Sequence, residues 1–320
     1  MHGLILRLDI KMVIFKKNIE NLSNSLSSHE QIIGRSLWED ARIRFFKNKA
    51  AVTSLIFLLA ILLFSFFGPL LAQWSNEEID WSVLGNISTL GYPSFETGHY
   101  FGTDELGRDL YSRVIQGTKI SLMVGVVGAL IAVIVGTLYG AIAGFFGGRL
   151  DNIMMRLVDI LMSIPYMFVL ILLLVIFGRS IVMLFIGIGL ISWLDMARIV
   201  RGQTLSIKQK EFVEAALATG VSNFTIIIRH IIPNLLGVVA VYATLLVPSM
   251  ILTESFISFL GLGVQEPNTS WGALISEGAS TMSFGALWQL LFPLSFFVVS
   301  LFSFFFVGDG LRDALDPKDR

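Results

Sequence analysis

The sequence predicts an all-α, polytopic membrane protein with six membrane-spanning helices. Of its 320 residues, 54% are hydrophobic and 15% are charged, and the mean hydropathy is +0.75. A soluble chain carries about 25% charged residues, whereas a spanning helix needs about 20 mostly apolar residues. Six stretches are apolar and long enough, at about 50–72, 121–146, 160–177, 181–196, 235–259 and 287–307.

The distribution of positive charge predicts how these spans are oriented. An even number of spans places both termini on one side, and 19 of the 23 Lys and Arg residues then lie on that side. Because an excess of positive charge marks the cytoplasmic side, we expect both termini to be cytoplasmic. The predicted cytoplasmic tails are 1–34 and 308–320, and segment 35–72 is predicted to hold an interfacial helix and the first span.

The external segment 73–120 is predicted to contain one helix of its own. Thr103 or Asp104 can cap a helical run that continues to Gln116. Its apolar side chains lie on one side, which is typical of a helix at the membrane surface. Such a helix would either contact a protein that delivers the substrate or cover the bundle.

The internal loop 197–234 is long for a connection between spans. Good helix formers occupy 210–218, and Gly220 follows at the position where a helix ends. Ser222 or Asn223 can then cap a second helix over 225–231, before Pro233. The alanines at 215, 216 and 218 leave a shallow surface that another protein could approach closely, with Glu214 beside it.

This loop resembles the signature of permease subunits in bacterial ABC importers. The signature residues are matched by Glu214, Ala215, Ala216, Gly220 and Pro233, whereas residues 230 and 232 depart from its Ile and Leu. Residues 99–113, 259–272 and 308–320 are similar to segments of the peptide/nickel-type branch. Residues 35–49 are similar to the amino-terminal extension of its C-type subunit.

The resemblance implies a type I ABC importer permease fold, with 121–307 as the core domain, in a bacterial inner membrane. The segment around Glu214 would be a coupling helix seated in a cytoplasmic ATPase. The implied partners are a second permease subunit, two ATPase subunits, which bind ATP and Mg²⁺, a periplasmic peptide-binding protein and membrane lipid. Oligopeptides would be the substrate, with dipeptides, nickel or antimicrobial peptides as alternatives.

No motif for covalent chemistry is present, so no catalytic, cofactor or metal residue is predicted in this chain. Cysteine is absent, as are a G-x-x-x-x-G-K-[ST] phosphate loop, H-E-x-x-H and G-x-S-x-G. The four histidines are scattered, and a net charge of −1 gives no case for nucleic acid. A stand-alone channel, an ion-coupled transporter and an intramembrane protease are the alternative classes; the transporter would need paired intramembrane charges.

Small residues recur every fourth position in the second predicted span. The series consists of Gly128, Ala132, Gly136, Gly140, Gly144 and Gly148. Small side chains at this spacing let another helix approach closely. The series therefore predicts either a tight crossing between subunits or beside a gate, or ordinary packing within the chain.

Three further features suggest roles for polar and helix-breaking residues. Glu254 lies deepest in an apolar context, where it either lines the substrate path or is a hydrogen-bonded residue near a helix end.

Asp195 and Arg198 are three residues apart, so they are predicted to form an interfacial ion pair. Topology anchoring is the alternative for Arg198 and Arg201. The prolines near the spans mark either hinges or simple kinks: Pro165, Pro233, Pro248 and Pro293.

Overall fold

The computed structural model describes residues 37–315. The predicted tail 1–34 and residues 316–320 of the predicted carboxyl tail lie outside the described residues. The chain divides into two compact units, Met1–Asp40 and Ala41–Arg320. Only residues 37–40 of the first unit are described, and all the candidate spans belong to the second.

The described chain is almost entirely helical and contains no strand between residues 37 and 315, apart from two isolated bridges. Twelve α-helices follow one another along it: α1 Leu37–Lys47, α2 Lys49–Phe67, α3 Ile87–Leu90, α4 Leu110–Phe146, α5 Gly148–Ser163, α6 Tyr166–Phe177, α7 Ile181–Ile207, α8 Glu211–Ala218, α9 Asn223–Ile226, α10 Ile232–Phe259, α11 Trp271–Thr281 and α12 Trp288–Leu315.

Five stretches of the described chain are long and apolar enough to cross a membrane, and a bent pair of helices supplies a sixth. The five correspond to α2, α4, α7, α9 with α10, and α12. The predicted fold class is therefore confirmed. The third span differs from the prediction, because 160–177 is not one helix: α5 and α6 meet at a 76° bend. Pro165 lies at this break, where a proline cannot donate the backbone hydrogen bond that a continuous helix requires.

The predicted surface helix ending at Gln116 is wrong, because this stretch is the start of α4. Asp109, rather than Thr103 or Asp104, accepts a hydrogen bond from the backbone N–H of Ser112 and caps α4. Asp104 instead accepts from the backbone N–H groups of Leu106 and Arg108, which closes a loop before the helix. With 37 residues, α4 is about 55 Å long, which exceeds the thickness of about 30 Å of the apolar layer of a membrane.

The fold is centred on α4, which packs along much of its length against α7 and also against α10. The main core joins side chains from these three helices with α12 and the short helix α11. Val124, Ile188 and Ile251 are among its buried members. Pro248 and Pro293 lie inside α10 and α12 without ending them. We call the end of the bundle that carries α8 the α8 end, and the end that carries α11 the α11 end.

Candidate functional site

The helix predicted at 210–218 is present as α8 and is held by one apolar face. Val213 is fully buried, and Ala216 is 8% exposed. Both belong to a hydrophobic cluster that includes Phe145 of α4 and Val200 of α7. We call this group the α8-end cluster; its buried members are Ala141, Phe145, Met196, Val200, Val213, Ala216, Ile226, Ile227, Ile231, Leu235 and Val239. Apolar burial therefore fixes α8 to the ends of two spans.

A glycine ends α8 in the manner that the sequence predicts. Gly220 has φ +77°, its N–H donates to the Leu217 carbonyl, and the N–H of Val221 donates to the Ala216 carbonyl. This pair of hydrogen bonds is the Schellman motif, in which an L-residue at the glycine position would be strained. Val221 packs against the α8-end cluster as the chain turns back. The turn thereby sets the direction in which α8 points.

The other face of α8 is uncovered in the single chain. Its exposed members are Glu211, Phe212, Glu214, Ala215, Leu217 and Ala218. The predicted shallow surface needs one correction, because Ala216 faces the cluster rather than the outside. Exposed Phe212 and Leu217 border the small side chains of Ala215 and Ala218. This mixture of apolar and acidic groups is suited to burial against another protein.

The predicted second helix is shorter than expected and does not stop before Pro233. Ser222 caps α9, as predicted, through the N–H of Thr225. A π-helical turn, Ile227–Ile231, then leads directly into α10, with Pro233 in its first turn. Proline has no backbone N–H to donate to the preceding turn, whereas Ile232 before it donates to the Ile227 carbonyl across the π turn. The π turn offsets the chain by one residue while helical structure continues.

Two ion pairs fasten α5 to α7, and one of them replaces a predicted pair. Arg198 donates to Asp159 of α5 rather than to Asp195, which is exposed. Asp195 is three residues away on the same helix, but the guanidinium reaches across to the neighbouring helix instead. Arg201 makes a bidentate pair with Asp151, with both N–O distances at 2.6 Å. Neither aspartate was predicted to have a role.

The small residues of α4 pack within the chain. A Cβ atom at Gly136 would lie 2.6 Å from Met196 Cβ, and one at Gly144 would lie 2.8 Å from Thr204 Cβ. Gly140 faces the backbone of α7 in the same way, and Gly128 faces the thioether of Met250 on α10. The absence of side chains therefore lets α4 and α7 approach closely. Of the two interpretations left open, the structure shows packing within the chain.

Glu254 is enclosed by the protein in this structure. Its predicted position in a translocation path is therefore corrected. Its side chain is fully buried and accepts hydrogen bonds from Ser121, Ser255 and Ser258 at 3.1, 3.2 and 2.6 Å. It joins α4 to the carboxyl end of α10, as its alternative interpretation expected, although it lies within the core. The carboxylate of Glu254 is thus occupied by structural hydrogen bonds.

The α11 end holds an ion-pair cluster that sequence reasoning missed. Arg113 of α4 is 3% exposed and pairs with Asp104 and with Glu277 of α11. Arg108 pairs with Asp104 and with Glu266, each at 2.7 Å. The arginines and Asp104 lie within ten residues of one another, but the two glutamates are more than 150 residues away in the sequence. Only the fold brings them together.

His99 lies between two carboxylates beside this cluster. Its Nδ1 is 3.0 Å from Asp109 and its Nε2 is 3.4 Å from Asp80, while Trp74 stacks on the ring. Burial alone would lower the pKa of His99, but the hydrogen bonds and charges of Asp109 and Asp80 outweigh it and raise the pKa. Burial likewise opposes ionisation of Asp80, yet hydrogen bonds from Ser82 and then His99 lower its pKa. Because each ring nitrogen faces an acceptor, the arrangement suits the imidazolium form.

The geometry by itself defines a class of protein. Spans carry an interfacial helix whose one face is buried in the bundle and whose other face is uncovered, and no group of three His, Asp or Glu side chains within 37–315 is placed to hold a metal ion. These features describe a multi-pass membrane component with an uncovered apolar and acidic helix face.

Comparisons with known proteins specify the family. Residues 136–320 match the family described as binding-protein-dependent transport system inner membrane component, and residues 36–86 match the N-terminal TM domain of oligopeptide transport permease C. The chain belongs to this family of bacterial ABC importer permeases. It is a multi-pass membrane protein, and the prediction of a permease component is confirmed.

Relatives named for three different substrates match most of the chain. The oligopeptide transport system permease protein OppC of Escherichia coli (strain K12) is 59% identical over 309 residues, which is 97% of this chain and 100% of the relative. The dipeptide transport system permease protein DppC of Bacillus subtilis (strain 168) is 43% identical, covering 89% of this chain and 87% of its own. The glutathione transport system permease protein GsiD of Pectobacterium atrosepticum is 34% identical, covering 89% and 92%.

Proposed function

We propose that this chain is one of two permease subunits of an ATP-driven importer, and that its α8 is the helix through which a cytoplasmic ATPase moves the spans. The observation that carries the proposal is the division of α8 into two faces. Val213 and Ala216 fix one face to the spans, while Glu214, Ala215 and Ala218 remain uncovered on the other. A partner that grips the uncovered face would thereby move α4 and α7.

The energy would come from other subunits. Two ATPase subunits would bind ATP and Mg²⁺, a second permease subunit would complete the path, and a periplasmic binding protein would deliver the substrate. Closure of the ATPase pair changes which conformation of the permease is favoured only if α8 is bound differently in the two states. This requirement makes α8 the coupling element of the mechanism.

The proposed orientation places the α8 end and both termini in the cytoplasm of a bacterial cell, at its inner membrane. The positive charges support it, since 19 of the 23 Lys and Arg residues lie on that side. The α11 end, with His99 and its ion-pair cluster, would then face the periplasm and the binding protein.

Oligopeptides are the proposed substrate. The identity of 59% to a protein named for oligopeptide transport exceeds the 43% and 34% to proteins named for dipeptide and glutathione transport. Uptake by the reconstituted complex should be higher for a labelled pentapeptide than for a labelled dipeptide or glutathione. A complex that imports only dipeptides or glutathione would contradict the substrate, but not the mechanism.

The variant Gly220→Ala tests the role of α8. Alanine is strained at φ +77°, although no neighbouring atom would clash with its Cβ, so the variant should misdirect α8 without disturbing the spans. Peptide uptake and binding-protein-stimulated ATP hydrolysis should fall together, while insertion in the membrane persists. Gly285→Ala is the matched control, because Gly285 has φ +88° and equally open surroundings but lies between α11 and α12. Uptake that is lost in the control and retained in Gly220→Ala would contradict the proposal.

A further inference from the structure

The helix α5 is attached to the rest of the chain mainly by polar contacts. Of its 16 residues, only Asp151 and Val158 are buried. The remaining contacts include a hydrogen bond from the Tyr139 hydroxyl to the Met154 carbonyl, at 2.9 Å. A helix with so little apolar burial depends on its few specific links for its position.

The ion pair between Asp151 and Arg201 is the stronger of the two that join α5 to α7. Arg201 and Asp151 form a bidentate pair in which the aspartate side chain is 8% exposed. The Arg198 and Asp159 side chains are 47% and 54% exposed. Exposed pairs contribute little, whereas bidentate pairs shielded from solvent are stronger and fix a geometry. Asp151–Arg201 is therefore the main polar link between α5 and α7.

The backbone changes direction at both ends of α5. Gly147 and Gly148 join it to α4 with φ values of +66° and +58°, a conformation that glycine adopts without strain. At the other end the chain bends by 76° into α6 near Pro165. The direction of α5 is thus not imposed by continuation of either neighbouring helix. Side-chain contacts must set it.

The partner of Asp151 belongs to the part of the chain that packs against α8. Arg201 follows Val200, which lies in the α8-end cluster with Val213 of α8. Gly140 and Gly144 bring α4 against the same turns of α7. These contacts join α4, α7 and α8 into one packed unit, and α5 is attached to that unit through Arg201.

We propose that the Asp151–Arg201 pair transmits displacement of α8 to the bent third span, formed by α5 and α6. Asp151 and Arg201 are positioning residues, which make α5 follow α7 when the ATPase moves α8. The inference rests on the proposed function, because it requires that α8 receives the movement of an ATPase.

The test is the number of peptides imported per ATP hydrolysed by the complete complex reconstituted in vesicles. Asp151→Asn should lower this ratio about tenfold, within the usual range for coupling between sites, while basal ATP hydrolysis is retained. Exchanging the two residues, with Asp151→Arg and Arg201→Asp together, should restore most of it. Asp159→Asn is the matched control in the exposed pair and should leave the ratio within about twofold of the wild type.

Arg201→Lys keeps the result decisive if the exchanged variant does not assemble. Lysine retains the positive charge but loses the bidentate geometry, so the ratio should fall between those of the wild type and Asp151→Asn. A wild-type ratio in Asp151→Asn, or an equal loss in Asp159→Asn, would overturn the inference. Wild-type vesicles without ATP-dependent uptake would instead overturn the proposed function, which keeps the two failures separate.

Discussion

The hydroxyl of Ser121 donates a hydrogen bond to the buried carboxylate of Glu254, at 3.1 Å. The same hydroxyl accepts the backbone N–H of Trp271, also at 3.1 Å. One side chain of α4 thus ties together the end of α10 and the start of α11. Thr118, one turn earlier, accepts the indole N–H of Trp271 at 3.1 Å, so the junction of three helices depends on a small group of hydroxyls.

Ser121→Ala should destabilise the chain, because it removes one donor to Glu254 and the side-chain acceptor of the Trp271 backbone N–H. Loss of a partner by buried polar groups costs about 1–3 kcal/mol. The melting temperature of the purified protein should fall. Ser163→Ala is a suitable control, since Ser163 is exposed and its hydroxyl donates to the Ile160 carbonyl of its own helix. Equal melting temperatures for the two variants would contradict this role.

Stability at the α11 end should depend on the charge of His99. Its pKa is raised above the ordinary value of 6.5, so the stabilisation is complete below about pH 6.5 and is lost as the pH rises through the folded-state pKa. The lowered pKa of Asp80 acts in the opposite sense, and only under acid conditions. Melting temperatures of the wild type should therefore decrease on going from neutral to alkaline pH.

His99→Gln should reduce this dependence on pH and should lower the melting temperature most at the acidic end of that range. An unchanged slope in His99→Gln would contradict the role assigned to the imidazolium.

Gly140→Ala should destabilise the chain, because the added methyl group would meet the backbone of α7 at Ala197 and Arg201. Overpacking of this kind costs about 1–3 kcal/mol. Gly202→Ala is the comparison, because no heavy atom lies within 4 Å of the added Cβ. Since alanine is the better helix former by up to about 1 kcal/mol, that variant should be neutral or more stable. Thermal unfolding of both variants tests the difference. If Gly140→Ala were as stable as Gly202→Ala, α4 and α7 would have room to separate, and the prediction would be contradicted.

Local signals predicted α8, the glycine at its end and the residue that caps α9. Helix formers, Gly220 and the Ser222 cap act over a few residues, so the sequence indicates them directly. The apolar composition likewise predicted the helical membrane fold. Pro165 was expected to mark a hinge or a kink, but the division of the third span into two helices was not predicted, because a proline in an apolar run is compatible with a kink as well as with a break.

Long-range partners could not be predicted from one sequence. Arg198 has Asp195 within reach on its own helix, but it pairs with Asp159 because α5 lies against α7. Asp104 is of a residue type that often caps helices. Its ion pairs with Arg108 and Arg113 hold it in a loop instead. Glu254 fits a transport path by its apolar context, and only the structure shows three serine hydroxyls around it. In each case the local pattern was compatible with two arrangements, and packing decided between them.

Cross-linking of single-cysteine variants tests the central claim, that a cytoplasmic ATPase grips the exposed face of α8. The sequence contains no cysteine, so each introduced thiol is the only one in this chain. In the assembled complex, Ala218→Cys treated with a reagent that joins cysteine to lysine should cross-link to the ATPase subunit. Ala216→Cys, 8% exposed at the wild-type residue and facing the cluster, should cross-link weakly, and Thr97→Cys in the 73–109 segment should react only from outside the cell. Labelling of Ala218→Cys from outside the cell, with no cross-link to the ATPase, would contradict the claim.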